Sequence, residues 1–105
     1  MSSQEALETF RSTHHLCQIT HSGNTWYWYT GGVGSQTVVV LPGVGAFGAL
    51  GAEVMFPVIM ALEQQFHVVA FGYPFEASTA RELIEGIHVV LAEQHVHHAS
   101  LLGHS

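Results

Sequence analysis

Three short, uninterrupted apolar runs, Thr37 to Leu41, His67 to Phe71 and Ala99 to Leu102, constrain this chain more than any other feature. Runs of this length that lack polar alternation are strands buried on both faces, the pattern of a parallel sheet. The gaps between them each leave room for one crossover helix. In the first gap Pro57 suits a first helical position but not a helix interior, which predicts a helix from about Pro57 to Gln65 after a short, looser turn. Val58, Ile59 and Leu62 would then face the sheet. In the second gap Thr79 and Glu82 have capping-box spacing, and Leu83, Ile84, Ile87 and Leu91 follow at helical intervals. Gly86, inside that helix, is expected to cost it about 1 kcal/mol relative to alanine. The expected unit is βαβαβ.

Upstream of these runs the pattern differs. His15 to Thr20 and Thr25 to Tyr29 are rich in β-branched and aromatic residues, and His21-Ser-Gly-Asn24 between them has turn chemistry. An antiparallel hairpin is expected. Its Trp26-Tyr-Trp-Tyr29 run could serve as a stacking platform for sugars or bases, but alternating aromatics in a strand pack more often on the two faces of a sheet. Residues 1–14 read as an N-terminal extension containing a short helical turn, Gln4 to Phe10, and residues 15–105 as a partial α/β domain whose C-terminal part lies beyond the chain.

Charge excludes several partners. The only cationic side chains beside histidine are Arg11 and Arg81, and the net charge is −6, so phosphate backbones would be repelled. A Walker-type phosphate loop needs a lysine, and the chain has none. Cys17 is alone, which rules out an intrachain disulfide, and the start lacks the cationic and apolar segments of a secretory signal, so a cytoplasmic protein is expected. With 48% hydrophobic and 10% charged residues the chain is apolar enough to build a core. The uncharged stretch from Gly31 to Ala52 is too broken by glycines and Pro42 to form a lipid-facing helix, so no membrane span is expected.

Two segments could carry chemistry. Leu41-Pro-Gly-Val-Gly-Ala-Phe-Gly48 follows a buried strand, where backbone N–H groups can point into the crevice beyond its carboxyl end. Ala99-Ser-Leu-Leu-Gly-His-Ser105 runs a strand directly into Gly-His-Ser, the first three positions of the G-x-S-x-G nucleophile elbow. Together with the aromatic hairpin, Val38-Val-Val-Leu-Pro-Gly43, the Phe56-Pro57 helix start and His67-Val-Val-Ala-Phe-Gly-Tyr-Pro74, these segments resemble the N-terminal portion of the α/β-hydrolase superfamily, over residues 15 to 105. The resemblance implies an antiparallel hairpin followed by a βαβαβ parallel unit. It implies that Ser105 is the nucleophile, with Gly103 and His104 the two elbow positions before it. It also implies that the Val44 N–H is one oxyanion-hole donor and that Gly43 sets the loop geometry. The residue before that glycine, often histidine in the family, is Pro42 here, which can neither donate from its backbone nor bond through its side chain.

In the family the catalytic acid and histidine follow the serine in chain order, so none of the nine histidines is assigned as the base, and the 105-residue chain alone is expected to be inactive and poorly behaved. The implied activity is attack of serine on an ester, thioester or similar acyl bond of a small molecule, without metal or cofactor. A serine rather than an aspartate at the elbow argues against the dehalogenase and epoxide hydrolase branches. Three other readings stand beside this one. Gly43-Val-Gly-Ala-Phe-Gly48 also fits the dinucleotide-binding G-x-G-x-x-G, although Phe71, Gly72 and Tyr73 stand where an acidic ribose ligand belongs. His95, His97 and His98 with Glu93 could bind a metal, but their spacing does not share one helical face. A non-catalytic interaction protein on a hydrolase scaffold is the third.

Overall fold

The structure, a computed structural model, describes residues 2–43, 45–77, 79–96 and 98–103. The elements in chain order are α1 (Ser3–Thr13), β1 (His15–His21), β2 (Asn24–Gly31), β3 (Thr37–Leu41), α2 (Gly48–Glu53), α3 (Phe56–Leu62), β4 (His67–Gly72), α4 (Ala80–Glu93) and β5 (Ser100–Gly103). They form a five-stranded sheet of order β1-β2-β4-β3-β5. β1 pairs antiparallel with β2 and β2 antiparallel with β4, whereas β3 lies parallel to both β4 and β5. The expected hairpin and βαβαβ unit are therefore joined in one mixed sheet. Ser22 and Gly23 both have positive φ, 52° and 80°, the geometry of a tight hairpin turn that matches the strand twist.

The chain leaves β3 for β4 on one side and crosses back from β4 over β3 to β5. Right-handed crossovers running in opposite directions place their helices on opposite faces of the sheet. Accordingly α2 and α3 share one face with α1, around Phe10, Tyr29, Val40, Ala52, Ile59 and Ala70. α4 covers the other, where Trp26, Trp28, Val39, Val69, Phe71 and Val90 are buried. Trp28 and Tyr29 thus point to opposite faces, and of the aromatic run Trp26, Trp28 and Tyr29 are core. Adjacent strands that send their connections to opposite faces leave a crevice beyond their carboxyl ends. Here a crevice borders the loop that leaves β3, at Gly43, Gly45 and Ala46.

Local differences from the sequence expectations have physical causes. The N-terminal helix is longer than Gln4 to Phe10. The Ser2 hydroxyl caps it by accepting from Glu5 N–H at 3.1 Å, and its last turn is tied to the body by tertiary contacts. Arg11 Nε donates to Glu53 Oε2 at 2.9 Å while Arg11 Nη2 engages the other oxygen, and the Glu53 carboxylate holds the guanidinium pKa above its ordinary value. His14 Nε2 lies 2.7 Å from the Glu63 carboxylate, and Phe10 is fully buried. The looser turn before Pro57 is a short helix, α2, and α3 ends at Leu62, where Phe66 N–H returns to Leu62 O at 2.9 Å and turns the chain into β4.

Val58, expected to face the sheet, and Ile84, one of the apolar residues at helical intervals in α4, are both exposed, by 38% and 56%. Val58 and Ile84 stand about 100° around the helix from the inward-facing Ile59 and Leu83, at the edge of stripes whose other members, Leu62 in α3 and Ile87 and Val90 in α4, pack against the core. Thr79 caps α4 as expected, accepting from Glu82 N–H at 3.2 Å. No helix among the described residues is long and apolar enough to cross a membrane.

Candidate active site

β3 and β5 run in parallel register with Leu41 opposite Gly103. The strand end that opens the glycine loop and the strand end that opens the elbow therefore stand side by side, at the same end of the sheet. Of the sequence-derived site residues, Gly43 and Gly103 are described and lie at these two ends, whereas Val44, His104 and Ser105 fall outside the described residues.

Beyond Leu41 the loop turns back across the end of β4. Phe47 forms a parallel bridge with Tyr73, Tyr73 N–H donates to Ala46 O at 3.0 Å, and Gly48 N–H donates to Tyr73 O at 2.9 Å. Ala46 N–H donates to Gly43 O at 3.2 Å and Phe47 N–H to Gly45 O at 3.1 Å. The Tyr73 hydroxyl donates to Pro42 O at 2.7 Å. The carbonyls of Pro42, Gly43, Gly45 and Ala46 are thus all engaged by donors of the loop or of Tyr73. A loop whose carbonyl oxygens are occupied in this way presents less negative dipole to a neighbouring anion.

Close backbone packing makes this path available. A Cβ on Gly72 would sit 1.9 Å from Gly48 O, and one on Gly51 would sit 2.2 Å from Ala46 O. Any side chain at either place would push the loop off the sheet. On its outer side the loop borders an open crevice of about 580 Å³, with Gly43, Gly45 and Ala46 on one wall and Val54, Met55, Pro57 and Val58 on the other. No charged side chain lines it among the described residues. Phe47, next in the loop, stacks on Phe75 with ring centroids 5.5 Å apart.

This architecture has close structural counterparts. The structure matches carboxylesterase CesB (YbfK) from Bacillus subtilis with a TM-score of 0.71 and 19% identity, over 97% of this chain and 39% of that one. It matches an epoxide hydrolase mutant from Vigna radiata with a TM-score of 0.71 and 16% identity, over 90% and 31% of the two chains. An α/β-hydrolase fold protein from Burkholderia ambifaria gives 0.66 and 17%, over 88% and 37%. The chain has the fold of the N-terminal part of an α/β-hydrolase. It spans 31% to 39% of the length of these structures. No protein-family model and no curated protein matches it in sequence.

Within the α/β-hydrolase scaffold the competing motifs take other roles. A pyrophosphate site starts its helix within the glycine loop, whereas here residues 46–48 are laid against Tyr73 and α2 begins at Gly48, the last position of the G-x-G-x-x-G segment. His95 adopts φ 57° and ends α4, with Val96 N–H closing back on Leu91 O at 2.8 Å. No group of three His, Cys, Asp or Glu side chains that could hold a metal occurs among the described residues, and His97 lies outside them. In the sequence Tyr73 stands out only as a non-acidic residue after β4. Its hold on Pro42 depends on two loops meeting, which no local pattern encodes.

Proposed function

We propose that this chain is the N-terminal part of a serine hydrolase that cleaves an ester, thioester or similar acyl bond of a small molecule. Ser105 is the nucleophile, and the Val44 N–H, in the loop opened by Gly43, is one oxyanion donor. The observation that carries this reading is the register of Leu41 with Gly103, which brings the start of the glycine loop beside the strand end that leads into Gly-His-Ser. The engaged carbonyls of the loop support it, since negative charge developing beside them meets fewer opposing dipoles.

In the reaction Ser105 Oγ bonds to the acyl carbon while a base takes its proton, and the carbonyl electron pair moves onto oxygen as the tetrahedral oxyanion. Collapse expels the alcohol or thiol, which receives that proton, and leaves an acyl-serine. Water then repeats the attack and releases the acid. By the resemblance, the base and its orienting acid follow Ser105 in chain order. The test is labelling of the intact protein by a fluorophosphonate and turnover of p-nitrophenyl acetate. Labelling should fall on Ser105, and Ser105→Ala should abolish both. Turnover that survives the substitution would remove Ser105 from the mechanism.

A further inference from the structure

Pro42 poses a problem for a loop that must hold still. It has no N–H and no polar side chain, so its carbonyl is the one group through which a hydrogen bond can fix it. That carbonyl accepts from the Tyr73 phenol at 2.7 Å. The backbone of Tyr73 grips the far end of the same loop, through Ala46 O at 3.0 Å and Gly48 N at 2.9 Å. One residue thus clasps the loop before and after its turn. The phenol is itself held, with its ring edge-on to Trp26 at a centroid distance of 6.4 Å. Burial raises its pKa above the ordinary tyrosine value, so it stays protonated and a donor across the neutral range.

We propose that Tyr73 is a positioning residue for acyl hydrolysis, directing the Pro42 carbonyl into the protein and fixing the loop whose N–H groups meet the oxyanion. It touches no reacting atom. The inference rests on the serine-hydrolase reading above, and goes beyond it by naming what orders the oxyanion loop in place of a side chain at position 42. A loop freed at Pro42 would still bind substrate but would present its donors less often to the transition state, so kcat should fall while KM holds.

The experiment uses the intact protein with Tyr73→Phe, which removes the hydroxyl and keeps the ring. Turnover of p-nitrophenyl acetate should lose about tenfold in kcat, the equivalent of one net hydrogen bond, with KM changed by less than about twofold. Affinity for a trifluoromethyl ketone, whose serine adduct carries the oxyanion, should fall by the same factor, and exchange of the Ala46 and Phe47 amides, which donate to Gly43 O and Gly45 O, should quicken. A merely structural tyrosine would shift the unfolding midpoint without this split. Turnover that requires Ser105 yet ignores Tyr73→Phe in both kcat and ketone affinity overturns this inference alone. Turnover that survives Ser105→Ala overturns the serine reading, and with it the purpose of the clasp.

Discussion

Between Trp26 on β2 and Leu101 on β5 lie only the strands β4 and β3, yet exposure runs from 0% to 67%. Both side chains are large and apolar, so residue type does not set the contrast. What differs is the number of elements that reach each strand. Trp26 has α4 over it, Phe71 beside it with ring centroids 5.7 Å apart, and Gly86 against its indole. β5 pairs on one side with β3, and all four of its residues are exposed among the described residues. The hairpin side of the sheet is stabilised by its own helices. The β5 side, which leads into the elbow, takes its order from backbone pairing with β3.

The largest effect expected from this comparison is at Trp26. Trp26→Ala would empty a fully buried site and should cost about 3–5 kcal/mol in urea unfolding of whichever chain length is tested. A loss no greater than that of an exposed β5 substitution would erase the distinction between the two sides.

Gly86 sharpens the same contrast. Helix propensity alone predicts that Gly86→Ala stabilises α4 by about 1 kcal/mol. The structure predicts the opposite sign. A Cβ there would lie 2.0 Å from Trp26 Nε1, and Trp26 is enclosed and cannot move aside. Overpacking of this kind costs about 1–3 kcal/mol, which outweighs the propensity gain. Gly86→Ala should therefore lower the urea midpoint, and combining it with Trp26→Phe should recover part of the loss, because the two changes act on one contact. Stabilisation by Gly86→Ala alone would show that α4 stands further from β2 than described.

Gly86 also shows where the sequence was legible and where it was not. β3 appears in full from its valine run, because a strand buried on both faces needs only apolar residues in succession. The Thr79 cap and the hairpin turn at Ser22-Gly23 were equally local, and so were readable. Gly86 reads locally as a cost, since its reason is an indole some sixty positions earlier in the chain. The length of α1 escaped notice for the same reason: Arg11 and His14 look like ordinary polar residues until Glu53 and Glu63 are brought to them. At the candidate site, the adjacency of the two motifs followed from strand topology and the resemblance, and Gly43 and Gly103 lie at neighbouring strand ends. The clasp by Tyr73 did not follow, because it joins the end of β4 to a loop leaving β3.

The smallest expected effect is the most discriminating. Leu101 and Val39 occupy one rung of the parallel ladder, paired in register on adjacent strands, with exposures of 67% and 0%. Substituting serine at each removes apolar surface from equivalent backbone positions, so their difference isolates burial from strand pairing. Val39→Ser loses a side chain packed between Val69 and the α4 side of the core, and leaves a hydroxyl in its place, which should cost about 2–4 kcal/mol. Leu101→Ser in the 105-residue chain forfeits little buried area, since most of that side chain already meets solvent, and its β-propensity penalty is a few tenths of a kcal/mol at an edge; the total should stay below about 0.5 kcal/mol. The same change should also reduce self-association measured by sedimentation, because an apolar strand with a free edge pairs readily with another copy. If Leu101→Ser proved as costly as Val39→Ser at a protein concentration where the chain is monomeric, β5 would have to be covered by the chain itself, and the contrast between the two sides of the sheet would be wrong.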